Sequence, residues 1–238
     1  MGNPYKITYS FRFEDGSLKT FDILLSRDTL SLIAEKNPDP PAWTELNNNK
    51  CANCSLDENL PTGQAGLDRY CPVALNLADI VREFKDYFSY ENVFVTVTTE
   101  ERSYAKSTTV QTGLSSLIGI IMVTSGCPVM EYMKPMVRFH LPFATLEETV
   151  YRMTSMFLVS RYFLKNEGKD SGCELDGLVK IFSEVSNANS YFAQRLHEAA
   201  KKDANINALV NLDCFAIMAL EAEETLEEFR PYFSAYLK

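Results

Sequence analysis

The sequence predicts an α+β protein, a small antiparallel sheet of two hairpins followed by a helical bundle. Three observations carry this. Residues 5–13, YKITYSFRF, alternate strictly between apolar and polar side chains, the mark of a half-buried strand. A second strand, turn and strand pattern runs from VFVTVTTE to SYAKSTTV, and from Gly113 onward the apolar residues fall at helical spacing.

In the first strand Tyr5, Ile7, Tyr9, Phe11 and Phe13 share one face, with Lys6, Thr8, Ser10 and Arg12 on the other. EDGS at 14–17 is a turn signal, and Phe21, Ile23 and Leu25 resume the alternation, so residues 5–26 form a β-hairpin. RDTLSLI adds a short helical turn or edge segment. Residues 36–50 hold three prolines and an Asn run and lead as a loop to the first cysteines. After Cys71, Val73, Leu77, Ile80, Val81 and Phe84 define a helix with Pro72 in its first position. The second hairpin turns around Glu101 and Arg102.

The helical half opens with GLSSLIGIIMVTSG, a buried helix ending at Gly126. PVMEYMKPMVRFH starts another, which Pro135 kinks or divides. TLEETVYRMTSMFLVSRYFLKNEG begins with a Thr145/Glu148 capping box and closes near Gly168. Two or three further helices follow. The expected division is a β-rich part over residues 1–111, with the cysteine loop and one helix, and a helical part over 112–238 packed against it, the two forming one domain or a pair.

The 238-residue chain is long enough to bury a core without disulfides, and 46% apolar with 23% charged residues is the profile of a soluble globular protein. The net charge of −9, with scattered Lys and Arg, argues against nucleic acid as a partner. The first 20 residues lack the basic start and apolar run of a signal peptide, and Lys6 stands where a myristoylation signal needs Ser or Thr. The most apolar run, Leu114 to Val123, is too short for the roughly 20 residues of a membrane span. A cytoplasmic protein with reduced cysteines and no membrane association is expected.

The chemistry-bearing residues are sulfurs. Cys51 and Cys54 form a C-x2-C knuckle, Cys71 follows after sixteen residues, and Ala74 occupies the place where a zinc ribbon would have its fourth cysteine. Cys127 is the candidate fourth ligand, because CPV at 127–129 repeats CPV at 71–73. A sulfur at a helix start meets free N–H groups and the positive end of the helix dipole, which favours the thiolate that metals need. Four sulfurs suit a closed structural zinc site, and a [4Fe–4S] cluster takes the same ligands. A reactive dithiol at Cys51/Cys54 and four unliganded, packed thiols are the remaining readings. Cys173, after DSG, and Cys214, on an apolar helical face, read as structural.

RFHLPFATLEETVYR gathers Arg138, His140, Glu147, Glu148 and Arg152. Capping by Glu148, an i, i+4 pair between Glu148 and Arg152, and a hydrogen-bonded His140 explain the spacing better than a catalytic site does. His140 is kept as a substitute metal ligand. His197 reads as solvent-facing, and EAEETLEEF as a solvated helix face. No Gly-rich phosphate loop, G-x-S-x-G elbow or H-E-x-x-H motif occurs, so an enzyme is disfavoured.

CANCSL, RYCPVALNL, SGCPVM and RFHLPFATLEETVYR together resemble a family of bacterial proteins grouped as a domain of unknown function. The resemblance implies a bacterial, cytoplasmic protein and supplies no activity or site residue. Two functions follow from the residues. One is a non-enzymatic binding or interaction module, its loop stapled by metal, whose partner is a protein or a small ligand. The alternative is an iron–sulfur or dithiol protein that transfers electrons or senses redox state.

Overall fold

A computed structural model describes residues 3–35, 37, 39–57, 69–169, 172–218 and 222–238. Gly2, most of the polar stretch between Cys54 and Cys71, and the Asp170–Ser171 pair before Cys173 lie outside the described residues.

Strict alternation places β1 (Tyr5–Phe13) at the centre of the sheet. Tyr5, Ile7, Tyr9, Phe11 and Phe13 are all buried, since a period of two sends them to one face. β1 pairs antiparallel with β2 (Leu18–Leu25), Ile7 opposite Ile23 and Tyr9 opposite Phe21. Its other edge pairs antiparallel with β3 (Asn92–Thr98), which hairpins into β4 (Ser103–Thr109). The sheet order is β2-β1-β3-β4, so both expected hairpins are present and joined through β1 and β3.

α1 (Pro72–Phe84) starts at its proline and buries Val73, Leu77, Ile80, Val81 and Phe84. The Phe84 ring meets Phe11 edge-on at 5.1 Å between centroids. α2 (Val110–Thr124) leaves β4 directly and is apolar nearly all round, which forces it into the interior. One side of α2 lies so close to the sheet that a Cβ at Gly113 would stand 2.7 Å from Val95 Cγ2 and 2.9 Å from a Phe11 ring carbon. Only glycine fits there. α2 ends at Gly126, whose φ of +87° provides the left-handed stop.

Beyond Gly126 the chain forms a 3-10 turn over Met130–Met133 and then α3 (Lys134–Arg138). Pro135 thus divides what its surroundings would otherwise continue. α4 (Leu146–Asn166) carries the complete Thr145/Glu148 capping box. α5 (Asp176–Ala199) and α6 (Ala204–Met218) follow, and α6 packs on both α2 and α5. α7 (Ala222–Phe229) contacts α4. Sheet and helices share one cluster of buried side chains running from Tyr5 to Ala216. Among the described residues no helix is long and apolar enough to cross a membrane.

Candidate metal centre and adjoining cavity

The cysteine loop is held by its own backbone and by α5. The Cys71 N–H donates to the Thr44 carbonyl and the Leu46 N–H to the Arg69 carbonyl, both at 2.8 Å. These bonds clamp the two ends of the loop that carries Cys51 and Cys54. Within it the Cys54 N–H donates to the Cys51 carbonyl at 3.0 Å, closing the knuckle turn. The Asn48 and Asn49 amides donate to the Glu198 carboxylate, and the Asn53 amide donates to the Glu184 carbonyl at 3.0 Å. Glu184 and Glu198 both stand on α5, so one helix grips the loop at two places about four turns apart.

Cys71 is the residue before the first turn of α1, and Cys127 follows the end of α2. The N–H groups of Val73 and Ala74 face the Cys71 sulfur, and those of Val129 and Met130 face the Cys127 sulfur. The repeated Cys-Pro-Val therefore produces the same local arrangement twice, although α1 follows the first copy and a turn with a 3-10 segment follows the second. The contact at Cys71 is electrostatic rather than a formed capping bond. All four half-buried sulfurs are neighbours, since Cys51 feels Cys71, Cys54 and Cys127, and Cys127 feels Cys71 and Cys54.

Burial outweighs the helix-start effect. It is the main cause that pushes the Cys51 thiol up to about 12, and it also raises Cys71 and Cys127 despite their facing N–H groups. The expected thiolate bias at the two Cys-Pro sites is thus reversed in the metal-free chain, because removing a charge from water costs more than two N–H dipoles return. Among the described residues no group of three or more His, Cys, Asp and Glu side chains is placed so that it could hold a metal ion. The four thiols are gathered without forming a closed set.

Arg195 of α5, which sequence reasoning passed over, lies beside them. The residue is 1% exposed, and its guanidinium donates to the Trp43, Glu45 and Leu46 carbonyls at 3.0, 2.6 and 2.8 Å. Its Nε has no partner, and no carboxylate pairs with it among the described residues. Its charge acts on Cys51 and Cys71, favouring their thiolates. A signal existed in the sequence: Arg195 continues the apolar stripe of Ala188, Phe192 and Leu196, where a cation is out of place.

His140 is not gathered with the thiols. Its Nε2 lies 2.6 Å from the Tyr9 hydroxyl, which is itself 2.8 Å from Ser116 Oγ. Burial, and secondarily the nearby Arg152 charge, lower the His140 pKa to about 3. Arg152 does not pair with Glu148 as its spacing suggested; it donates to the Met136 and Phe139 carbonyls at 3.0 and 2.7 Å, while Glu148 caps α4. Arg138 pairs with Glu101 on the β3–β4 turn.

The His140 shift has a measurable consequence. In the unfolded chain the ring takes up a proton near pH 6.5, whereas in the native chain it resists to about 3. The unfolded state binds more protons in that window, so stability falls as pH falls, by at most about 1.4 kcal/mol per pH unit from this group. Denaturant unfolding at pH 7, 5.5 and 4.5 is expected to show a shallower loss in His140→Gln than in the native chain. Equal slopes would mean that the ring titrates freely in the fold.

His140, Ser116 and Arg152 border a cavity of about 610 Å3 between α2, the segment through α3, α4, α5 and α6. Met130, whose N–H faces the Cys127 sulfur, and Asn189, next to the Ala188 carbonyl that Cys51 faces, both line it. The thiol cluster and the cavity therefore stand back to back. Cys214 is exposed and lines the cavity as well, and Cys173 and His197 are exposed.

The sheet, the bundle and the gathered thiols define an α+β protein with a cysteine-bearing loop tied to its helices. A family model described as "Domain of unknown function (DUF6901)" matches residues 7–234, and the chain belongs to that family. No curated protein and no solved structure matches it.

Proposed function

We propose that this chain is a non-enzymatic binding module whose cysteine loop is stapled to the helices by a structural zinc ion at Cys51, Cys54, Cys71 and Cys127. The reading is carried by one observation: thiols from the loop, the start of α1 and the end of α2 are brought together although the sequence separates them widely. Four sulfur donors are the set that structural zinc takes. The buried Arg195 cation and the N–H groups facing Cys71 and Cys127 supply positive potential for the charge of four thiolates. An ion held there would supply a cross-link, with the four sulfurs binding it as thiolates and their protons released to solvent. Because Met130 belongs to both the Cys127 turn and the cavity, the cross-link also fixes a cavity wall. Free thiols at all six cysteines accord with a reducing compartment.

Elemental analysis and an absorption spectrum of untagged protein purified without oxygen test the assignment. About one zinc per chain is expected. About four irons with absorption near 400 nm would replace it with a redox cluster on the same ligands. A metal-free chain would overturn it.

A further inference from the structure

The cavity behind the thiol cluster has a chemical polarity of its own. Its volume of about 610 Å3 lies in the range of roughly 300–1,000 Å3 typical of small-molecule sites. Six of the chain's eight methionines line it. Methionine is unbranched and polarisable, so such a wall adapts to a flexible apolar body rather than to one rigid shape.

The charged lining is one-sided. Among the described lining residues Lys106 and Arg152 are the charged ones, and there is no carboxylate, in a chain that carries 32 Asp and Glu against 23 Lys and Arg. Neither cation makes a direct ion pair among the described residues, although the Glu148 carboxylate acts on Arg152 from farther off, and Arg152 gives its hydrogen bonds to backbone carbonyls. The two share one end of the cavity. Arg152 is close enough to Tyr104 of β4 to interact with it, and Lys106 lies two residues along that strand on the same face. His140, with Ser116 against its Nε2, lies at this end too, within reach of the Arg152 charge. α5 and α6 add the apolar side chains of Phe182, Val185 and Phe215 to the lining.

We propose that the cavity binds a single-chain amphiphile of the fatty-acid class, its carboxylate at Lys106 and Arg152 and its hydrocarbon chain among the methionines. A carboxylate supplies the direct ion pair that neither cation makes within the fold. An apolar chain of this type removes methionine and phenylalanine surface from water. The inference rests on the binding-module reading but not on the zinc, whose presence elemental analysis reads separately.

The test uses the full chain as purified. 11-(Dansylamino)undecanoate is titrated in as a fluorescent probe and displaced with dodecanoate or with dodecan-1-ol, which share a chain length and differ in head. Saturable binding at about one probe per chain is expected, with dodecanoate the stronger competitor by about tenfold, as a charge-assisted contact predicts. Ala144→Trp, which places an indole in the cavity, is expected to abolish probe binding while thermal unfolding stays cooperative. Lys106→Gln, a change on an exposed strand residue, should weaken dodecanoate severalfold and leave dodecan-1-ol unchanged. No saturable binding, or binding that survives Ala144→Trp, would overturn the site. Equal competition by acid and alcohol would overturn the anionic head.

Discussion

On the zinc reading, replacing Cys71 with serine is expected to release the ion and lower the melting temperature by about 10 °C. A ligand present at about a thousand times its Kd stabilises the state it binds by about 4 kcal/mol, and each kcal/mol moves Tm by about 2–4 °C in a chain of this size. The fold itself should survive, because no fully buried member of the shared core comes from the loop, whose Trp43, Cys51 and Cys71 pack against its edge. Cys51→Ser added to Cys71→Ser should cost little more, since a lost ion cannot be lost twice. Cys214→Ser, at an exposed thiol, is the control and should leave metal content unaltered. A Cys71→Ser chain that keeps its zinc and its Tm would remove Cys71 from the ligand set.

The features written in local pattern were those the sequence exposed. The alternation of Tyr5 to Phe13 determines both strand and buried face, and Thr145 with Glu148 determines where α4 starts, because each depends on residues a few positions apart. The pairing of β1 with β3 spans 80 to 90 positions and had no local signal; only the burial of Tyr9 and Phe11 opposite Val97 and Val95 settles it. The paired Cys-Pro-Val suggested a helix start at both cysteines, and α1 starts after Cys71 while a turn and a 3-10 segment follow Cys127. The direction of their titration was misjudged, since helix-start dipoles are visible in sequence and burial is not. His140 was expected to be hydrogen-bonded, but its partners Tyr9 and Ser116 come from a strand and a helix far along the chain. The cavity needs six segments to exist, from β4 to α6, so no stretch of sequence contains it.

Arg195→Met is expected to destabilise the chain by about 3 kcal/mol, because each buried acceptor left without its donor costs about 1–3 kcal/mol, partly offset by no longer burying an unpaired charge. Three carbonyls, of Trp43, Glu45 and Leu46, lose their donor at a site from which solvent is excluded. Arg195→Lys should recover only part of this, because an ammonium cannot span three acceptors as the planar guanidinium does. The same carbonyl strip precedes the knuckle, and its Thr44 carbonyl accepts from Cys71, so losing Arg195 loosens the thiols with all four still in place. The zinc reading adds a sharper expectation. A buried guanidinium without a carboxylate is costly in the metal-free chain and is neutralised once four thiolates surround an ion nearby. Arg195→Met should therefore cost more stability in the zinc-loaded chain than in the chelator-treated one, and paired denaturant titrations measure the difference. Equal losses in the two states would make Arg195 a clamp for the loop and nothing more, leaving the charge of a four-sulfur centre without its counter-ion.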